Sequence, residues 1–262
     1  MPKLALIQMR VEPGAKADNL RRAALLVAEA ASTGAKVAVL PEAMPVGWTD
    51  SSFEALADEV PHGETCAMLG RLAKVHAIYL CAGLVERAAG TIYNSAVLIG
   101  PDGRVCLHHR KIYELEIAHH CYAPGDRLGI ADTSLGRIGV MICADAFAPG
   151  QVISRTLGFM GAGIILSPCA WAVPLEHDNA KEPYGRLWRD NYSPPARDFG
   201  MWIAGVSNVG PITSGPWTGR QCIGCSMLVG PDGEVALQGP YGENAETILC
   251  AEIELKPRRR AG

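Results

Sequence analysis

Three side chains in this sequence have the types and placement for attack on a carbonyl. Cys143 stands in GRIGVMICADAF, at the end of the apolar run Ile138 to Ile142. Glu42 closes KVAVLPE, and Lys111 closes VCLHHRK. A run as apolar as 138–142 predicts a strand covered on both faces. A thiol at the C-terminal end of such a strand points into a crevice, where open α/β sheets place their ligands. Attack on an amide needs a nucleophile, a proton donor for the departing amine and a positive group for the developing oxyanion. Cys143 suits the first role and Glu42 the second, taking the thiol proton and returning it to the nitrogen. Lys111 suits the third, with the backbone N–H of Ala144 as a second donor. The nearby ammonium and the N-terminus of a following helix would both favour a thiolate.

The elements that must position these groups follow from periodicity. Lys3 to Met9 reads as a strand, Asn19 to Ala31 as a helix ended by Gly34, and Lys36 to Leu40 as a second strand, which together make a βαβ unit. A short helix is predicted over 51–58, a longer one over 64–76, and a strand over 78–84. Thr91 to Ile99 and Val105 to His109 flank Pro101-Asp102-Gly103 and predict a hairpin. Residues 112–137 read as irregular. After the Cys143 strand come a helix over 149–160, a strand over 163–167, a helix around Leu187 to Tyr192 stopped by Pro194-Pro195, and a strand over 201–207. A second hairpin spans 225–237, and 246–255 closes a sheet. GPDG occurs at 100–103 and again at 230–233, each time behind an apolar strand. The repetition predicts two matching halves, hence an α/β fold with two sheets inside and helices outside, a four-layer αββα sandwich. No linker or low-complexity stretch divides residues 1–262, so one domain is expected.

The net charge of −3 gives no footprint for nucleic acid or an anionic membrane. No segment reaches the roughly 18 apolar residues of a membrane span, and MPKLALIQMR lacks the apolar stretch of a leader. The nine cysteines are an odd number without a disulfide framework. Cys81, Cys106 and Cys250 sit in apolar runs and read as core hydrophobes, so a reducing cytoplasmic compartment is expected. Cys222-x-x-Cys225, His108-His109 and His119-His120 lack further ligands at metal spacing, and no phosphate loop or dinucleotide fingerprint is present. The Arg258-Arg259-Arg260 run reads as solvated.

From Leu4 to about Leu255 the chain resembles the nitrilase, or carbon-nitrogen hydrolase, superfamily, in its amidase-like branch. VLPEAM around Glu42, HHRKIYE around Lys111, GVMICADAF around Cys143 and ILSPCAW at 165–171 match its motifs in order. The resemblance implies a Glu-Lys-Cys triad, an αββα sandwich with two mixed sheets, no cofactor, and homodimers built across helices near the nucleophile. It also implies hydrolysis of a small carboxamide to acid and ammonia through a Cys143 thioester. Ala144 departs from the Tyr or Trp common after the nucleophile, and the smaller side chain would either open space beside the sulfur or alter which leaving group fits. A second glutamate normally holds the lysine; Glu114 and Glu116 both qualify, and Glu116 is preferred. Tyr113, Ala144, Cys169, Trp171 and Asn208 are candidate substrate-binding residues. Trp188, Trp202 and Trp217 are candidates to bound an aromatic cavity. The alternatives are an N-carbamoyl hydrolase, with Arg137, Arg186, Arg189 or Arg197 as carboxylate partner, then a nitrilase, then a non-catalytic binding protein.

Overall fold

The computed structural model describes residues 1–255; the Arg258-Arg259-Arg260 run lies outside them. Strand alternation organises the first half. β1 (Lys3–Gln8) turns Leu4 and Leu6 to one face and Ala5 and Ile7 to the other, and all four are fully buried. Burial of each such Leu or Ile side chain is worth about 1.5–3 kcal/mol. α1 (Lys16–Ser32) covers the Ala5 and Ile7 face with Leu20, Ala23, Val27 and Ala30, the three-and-four spacing of an inward helical stripe. β2 (Ala35–Val39) returns parallel to β1. After the single turn α2 (Phe53–Leu56), α3 (Glu64–His76) lays Leu69 and Ala73 against the same face. β3 (Tyr79–Ala88) runs parallel to β2, and β4 (Thr91–Ile99) and β5 (Val105–Arg110) follow it antiparallel.

The second half contains β6 (Ile130–Thr133), β7 (Gly136–Val140), α4 (Val152–Phe159), β8 (Ile164–Cys169), the short β9 (Ala172–Pro174) and α5 (Arg186–Phe199). It continues with β10 (Trp202–Ser207), β11 (Val209–Pro211), β12 (Arg220–Ile223), β13 (Met227–Val229) and β14 (Val235–Gln238). β15 (Thr247–Glu252) crosses back to pair with β1. The two large sheets have the orders β15-β1-β2-β3-β4-β5 and β14-β13-β10-β8-β7-β6.

Read from the hairpin edge, both sheets run antiparallel, antiparallel, parallel, parallel, antiparallel. The two GPDG turns sit at equivalent positions and share one geometry. In each, the first glycine N–H bonds the carbonyl of the residue after the turn, Asp102 or Asp232 accepts an N–H two residues on, and the last glycine has φ of +83°. That positive φ is the reason for glycine there. The halves therefore match, as the repeat predicts. The sheets pack face to face, β1 on β10 and β2 and β3 on β8. Leu4, Leu6, Val37 and Val39 meet Val140, Leu166 and Val206 in one core. With α1 and α3 outside one sheet and α4 and α5 outside the other, the architecture is the α/β, αββα sandwich.

Several sequence expectations differ from the structure, and the stretch 112–137, read as irregular, carries the strand β6 and the start of β7. α5 does not stop at Pro194-Pro195 but continues to Phe199. The prolines remove the N–H donors for the carbonyls of Asp190 and Asn191, yet Trp188, Tyr192, Pro195 and Ala196 are buried along the helix, and that packing outweighs the loss. Cys81 is buried, but Cys106 and Cys250 are exposed, because they occupy outward positions of the edge strands β5 and β15. A small third sheet, β11-β12-β9, was not evident from periodicity. Among the described residues no helix is long and apolar enough to cross a membrane.

Candidate active site

Glu42 lies just beyond β2 in a turn pressed onto β3. Its N–H donates to the Cys169 carbonyl at 3.2 Å, tying the ends of the two sheets together. Gly83 of β3 donates to the Pro41 carbonyl at 3.0 Å and accepts from Met44 N–H at 3.1 Å. A Cβ on Gly83 would stand 2.5 Å from Glu42 Cα and 2.7 Å from the Pro41 oxygen. Only glycine permits this approach, because both obstacles are backbone. Gly83→Ala is expected to shift the Glu42 carboxylate and lower kcat about a hundredfold, at a stability cost of about 1–3 kcal/mol. Steady-state kinetics beside a thermal melt check this; parental kcat would show that the turn tolerates displacement.

The Glu42 carboxylate is buried with Lys111 and Glu114 in one network. Lys111 Nζ donates to Glu42 Oε1 at 2.8 Å and to Glu114 Oε1 at 2.6 Å. Asn94 Nδ2 donates to Glu42 Oε1 at 2.7 Å and Glu114 Oε2 at 3.0 Å. Glu42 Oε1 is thus doubly engaged, whereas Oε2 has no hydrogen-bond partner among the described residues. An ammonium has three donors, and two of those on Lys111 are spent. Burial raises the Glu42 pKa, with Lys111 opposing and Glu114 reinforcing. Burial alone would lower that of Lys111, but Glu42, Glu114 and the Cys143 sulfur outweigh it and hold the ammonium well above its usual value.

Cys143 opens a tight 3-10 turn over Cys143–Phe147 with φ of +42°, a conformation that L residues other than Gly, Asn and Asp seldom adopt. Asp145 imposes that turn. Its N–H bonds the Ile142 carbonyl at 2.9 Å, and its Oδ2 accepts Ile142 N–H at 2.9 Å and His109 Nε2 at 2.8 Å. Its Oδ1 accepts the N–H groups of Ile112 and Tyr113 at 3.0 and 2.8 Å. One buried carboxylate therefore clamps the Cys143 turn to the Lys111 segment. No α-helix begins at the sulfur; α4 starts only at Val152. Burial first, then Cys169 and Glu42, push the Cys143 thiol well above its usual pKa, and Lys111 only partly offsets them. Burial thus weighs against the thiolate that the Lys111 ammonium favours.

Glu42, Lys111 and Cys143 share the wall of one cavity of about 390 Å³. Ala144 and Trp171 line it, as do Trp188 and Trp217. Sequence reasoning missed Trp48, Phe147, Tyr184 and Leu187 on the same wall. Several other expectations need correction. Glu116 is exposed in the 3-10 turn Glu116–Ala118; the second carboxylate on Lys111 is Glu114. Tyr113 is 40% exposed and off the cavity wall; its backbone, not its ring, serves the site. Cys169 is fully buried behind the site beside Ser167 and Tyr192. Asn208 lines a separate small cavity with Trp48 and Cys222. Trp202 donates its indole N–H to the Glu254 carbonyl, away from the site. Asn94 and Asp145 also escaped notice, although a polar residue inside the apolar runs TIYNSAVLIG and MICADAF is a visible signal.

A buried carboxylate, ammonium and thiol at the ends of packed strands define a cysteine hydrolase. Comparison with known proteins agrees. The carbon-nitrogen hydrolase family model matches residues 3–261, and the chain belongs to that family. It is 32% identical over 260 residues to a nitrilase from Pyrococcus abyssi, spanning 97% of this chain and 90% of the relative. It is 38% identical over 271 residues to an omega-amidase from Danio rerio, spanning 97% and 88%. The solved carbon-nitrogen hydrolase from Helicobacter pylori G27 superposes with a TM-score of 0.85 at 26% identity, over 97% of this chain and 89% of that one. The protein is an enzyme that hydrolyses a C–N bond by the cysteine, glutamate and lysine chemistry of its family.

Proposed function

We propose that the enzyme hydrolyses a small primary carboxamide to the carboxylic acid and ammonia, with Cys143 as nucleophile, Glu42 as general base and acid, and Lys111 as oxyanion donor. One observation carries this. Glu42 Oε1 is saturated by Lys111 and Asn94 while Oε2 is unpaired, and Lys111 retains one unspent N–H at the cavity that holds Cys143. The thiol passes its proton to Oε2 as sulfur attacks the carbonyl carbon. The third N–H of Lys111 and the Ala144 N–H receive the oxyanion. Collapse breaks the C–N bond as Glu42 returns the proton to nitrogen, and ammonia leaves a thioester. Glu42 then deprotonates water, which attacks the thioester; collapse releases the acid, and the proton returns to sulfur. Glu114 and Asn94 are positioning residues for this pair.

The charged candidates for an N-carbamoyl substrate lie elsewhere. Arg137 pairs with Asp132 and Arg186 with Asp190, and neither Arg189 nor Arg197 lines the cavity. A homodimer across the outer face of α4 and α5 belongs to the same proposal, supported by exposed Val152 and Phe159. So does a reducing, cytoplasmic setting, supported by nine free cysteines.

The test is ammonia release over amides, carbamoyl amino acids and nitriles, followed by a pH profile. Because burial raises the Glu42 pKa, the base is lost to protonation as pH falls through a value above the ordinary glutamate range. kcat/KM is expected to fall on the acid side along a limb centred there. An acid limb at the usual carboxylate pKa would remove Glu42 as the base.

A further inference from the structure

The polar groups of the cavity stand together at its reacting end. Glu42 and Lys111 are the only charged residues on its wall among the described residues, and they are paired with each other. The rest is apolar and largely aromatic. Trp171 and Trp188 stack with ring centroids 4.3 Å apart and planes at 24°. Phe147 extends the row, 4.5 Å from Trp188. Trp217 meets Trp48 edge-on at 4.7 Å. Three of the four indole N–H groups are unavailable to a ligand. The indole N–H groups of Trp48 and Trp171 are buried, and that of Trp188 donates to Tyr184 Oη at 2.9 Å. Arg220 stacks on the Trp217 ring at 4.6 Å and does not line the cavity.

Resting on the amidase reading above, the geometry points to a neutral acyl group, aromatic or extended and apolar, as the substrate class, and against the monoamide of a dicarboxylic acid. An apolar ring entering beside Trp171 and Trp188 buries its surface against aromatic carbon and loses little hydration. A second carboxylate there would be desolvated with no cation to receive it, and would face the paired Glu42 carboxylate.

Three measurements test this. The first is kcat/KM for 3-phenylpropionamide, butyramide and succinamic acid with the native enzyme. The order given is the order expected, and the aromatic amide should exceed succinamate by at least about a hundredfold. The second is calorimetric binding to Cys143→Ala, which reads the pocket without turnover; it should bind 3-phenylpropionamide and not succinamate. The third is Leu187→Arg. Leu187 is on the cavity wall yet 56% exposed, so a cation there is compatible with folding. This variant should raise kcat/KM for succinamate about tenfold or more while lowering it for the aromatic amide. Succinamate as the better native substrate would overturn the inference and leave the amidase reading intact. Binding of 3-phenylpropionamide without hydrolysis of any amide would do the reverse. Neither binding nor hydrolysis would remove both.

Discussion

Cys143→Ala is expected to fold normally and to release ammonia from no amide, a loss of about 10⁴-fold or more. The thiol is the group that forms the new bond to carbon, and no neighbouring residue can take its place. Cys169 is fully buried and engaged with Ser167 and Tyr192. Alanine keeps the Cβ, so the backbone at φ +42° stays in the same well and carries the same left-handed cost. Cys143→Gly provides the contrast. Glycine removes that cost, about 1–2 kcal/mol, so this variant should be equally inactive and no less stable than Cys143→Ala. Rapid quenching of the parental enzyme during turnover, followed by peptide mass mapping, should find the acyl adduct on residue 143. An adduct on Cys169, or turnover by Cys143→Ala above about a hundredth of the parental rate, would reassign the nucleophile.

The parts of this site that local pattern encodes were legible in the sequence, and the parts set by distant contacts were not. Glu42, Lys111 and Cys143 each end an apolar run, and strands covered on both faces leave their ends as the place where polar groups meet a crevice. The GPDG repeat reported two matching halves because a turn that needs positive φ constrains its own residues. Glu114 against Glu116 could not be resolved in that way. The segment after Lys111 has no period, and its path is set by Asp145, whose Oδ1 holds the N–H groups of Ile112 and Tyr113 from about thirty residues away. That clamp turns the Glu114 carboxylate onto Lys111 and leaves Glu116 outside, exposed. The same bonds employ the Tyr113 backbone and leave its ring outside. Pro194-Pro195 misled for the complementary reason: their local preference is against helix, and burial of Trp188 and Tyr192 overrode it.

Lys111→Ala is expected to cost both catalysis and stability, and the two losses can be separated. Without the ammonium, the oxyanion retains the Ala144 N–H alone, and kcat/KM should fall about 10³-fold. Stability should fall by about 3–5 kcal/mol, because Glu42 and Glu114 then share the Asn94 amide, with only the Leu115 N–H besides on Glu114, and have no cation. The sign of the pH dependence follows. In the variant the Glu42 pKa, already raised by burial, loses the opposing ammonium and rises further, so the protonated form is the stabilised one. Its stability is best at low pH and is lost as pH rises through the raised folded pKa. The deficit relative to the parental enzyme should therefore shrink as pH falls. A double variant, Lys111→Met with Glu114→Gln, removes one unpaired charge along with the cation and should recover much of the stability but none of the rate. Urea unfolding at several pH values and initial-rate kinetics on the same preparations measure both. Turnover restored in the double variant would mean that Lys111 only neutralises Glu114. A stable double variant without turnover assigns the ammonium to the oxyanion, since its structural duty has then been discharged by other means.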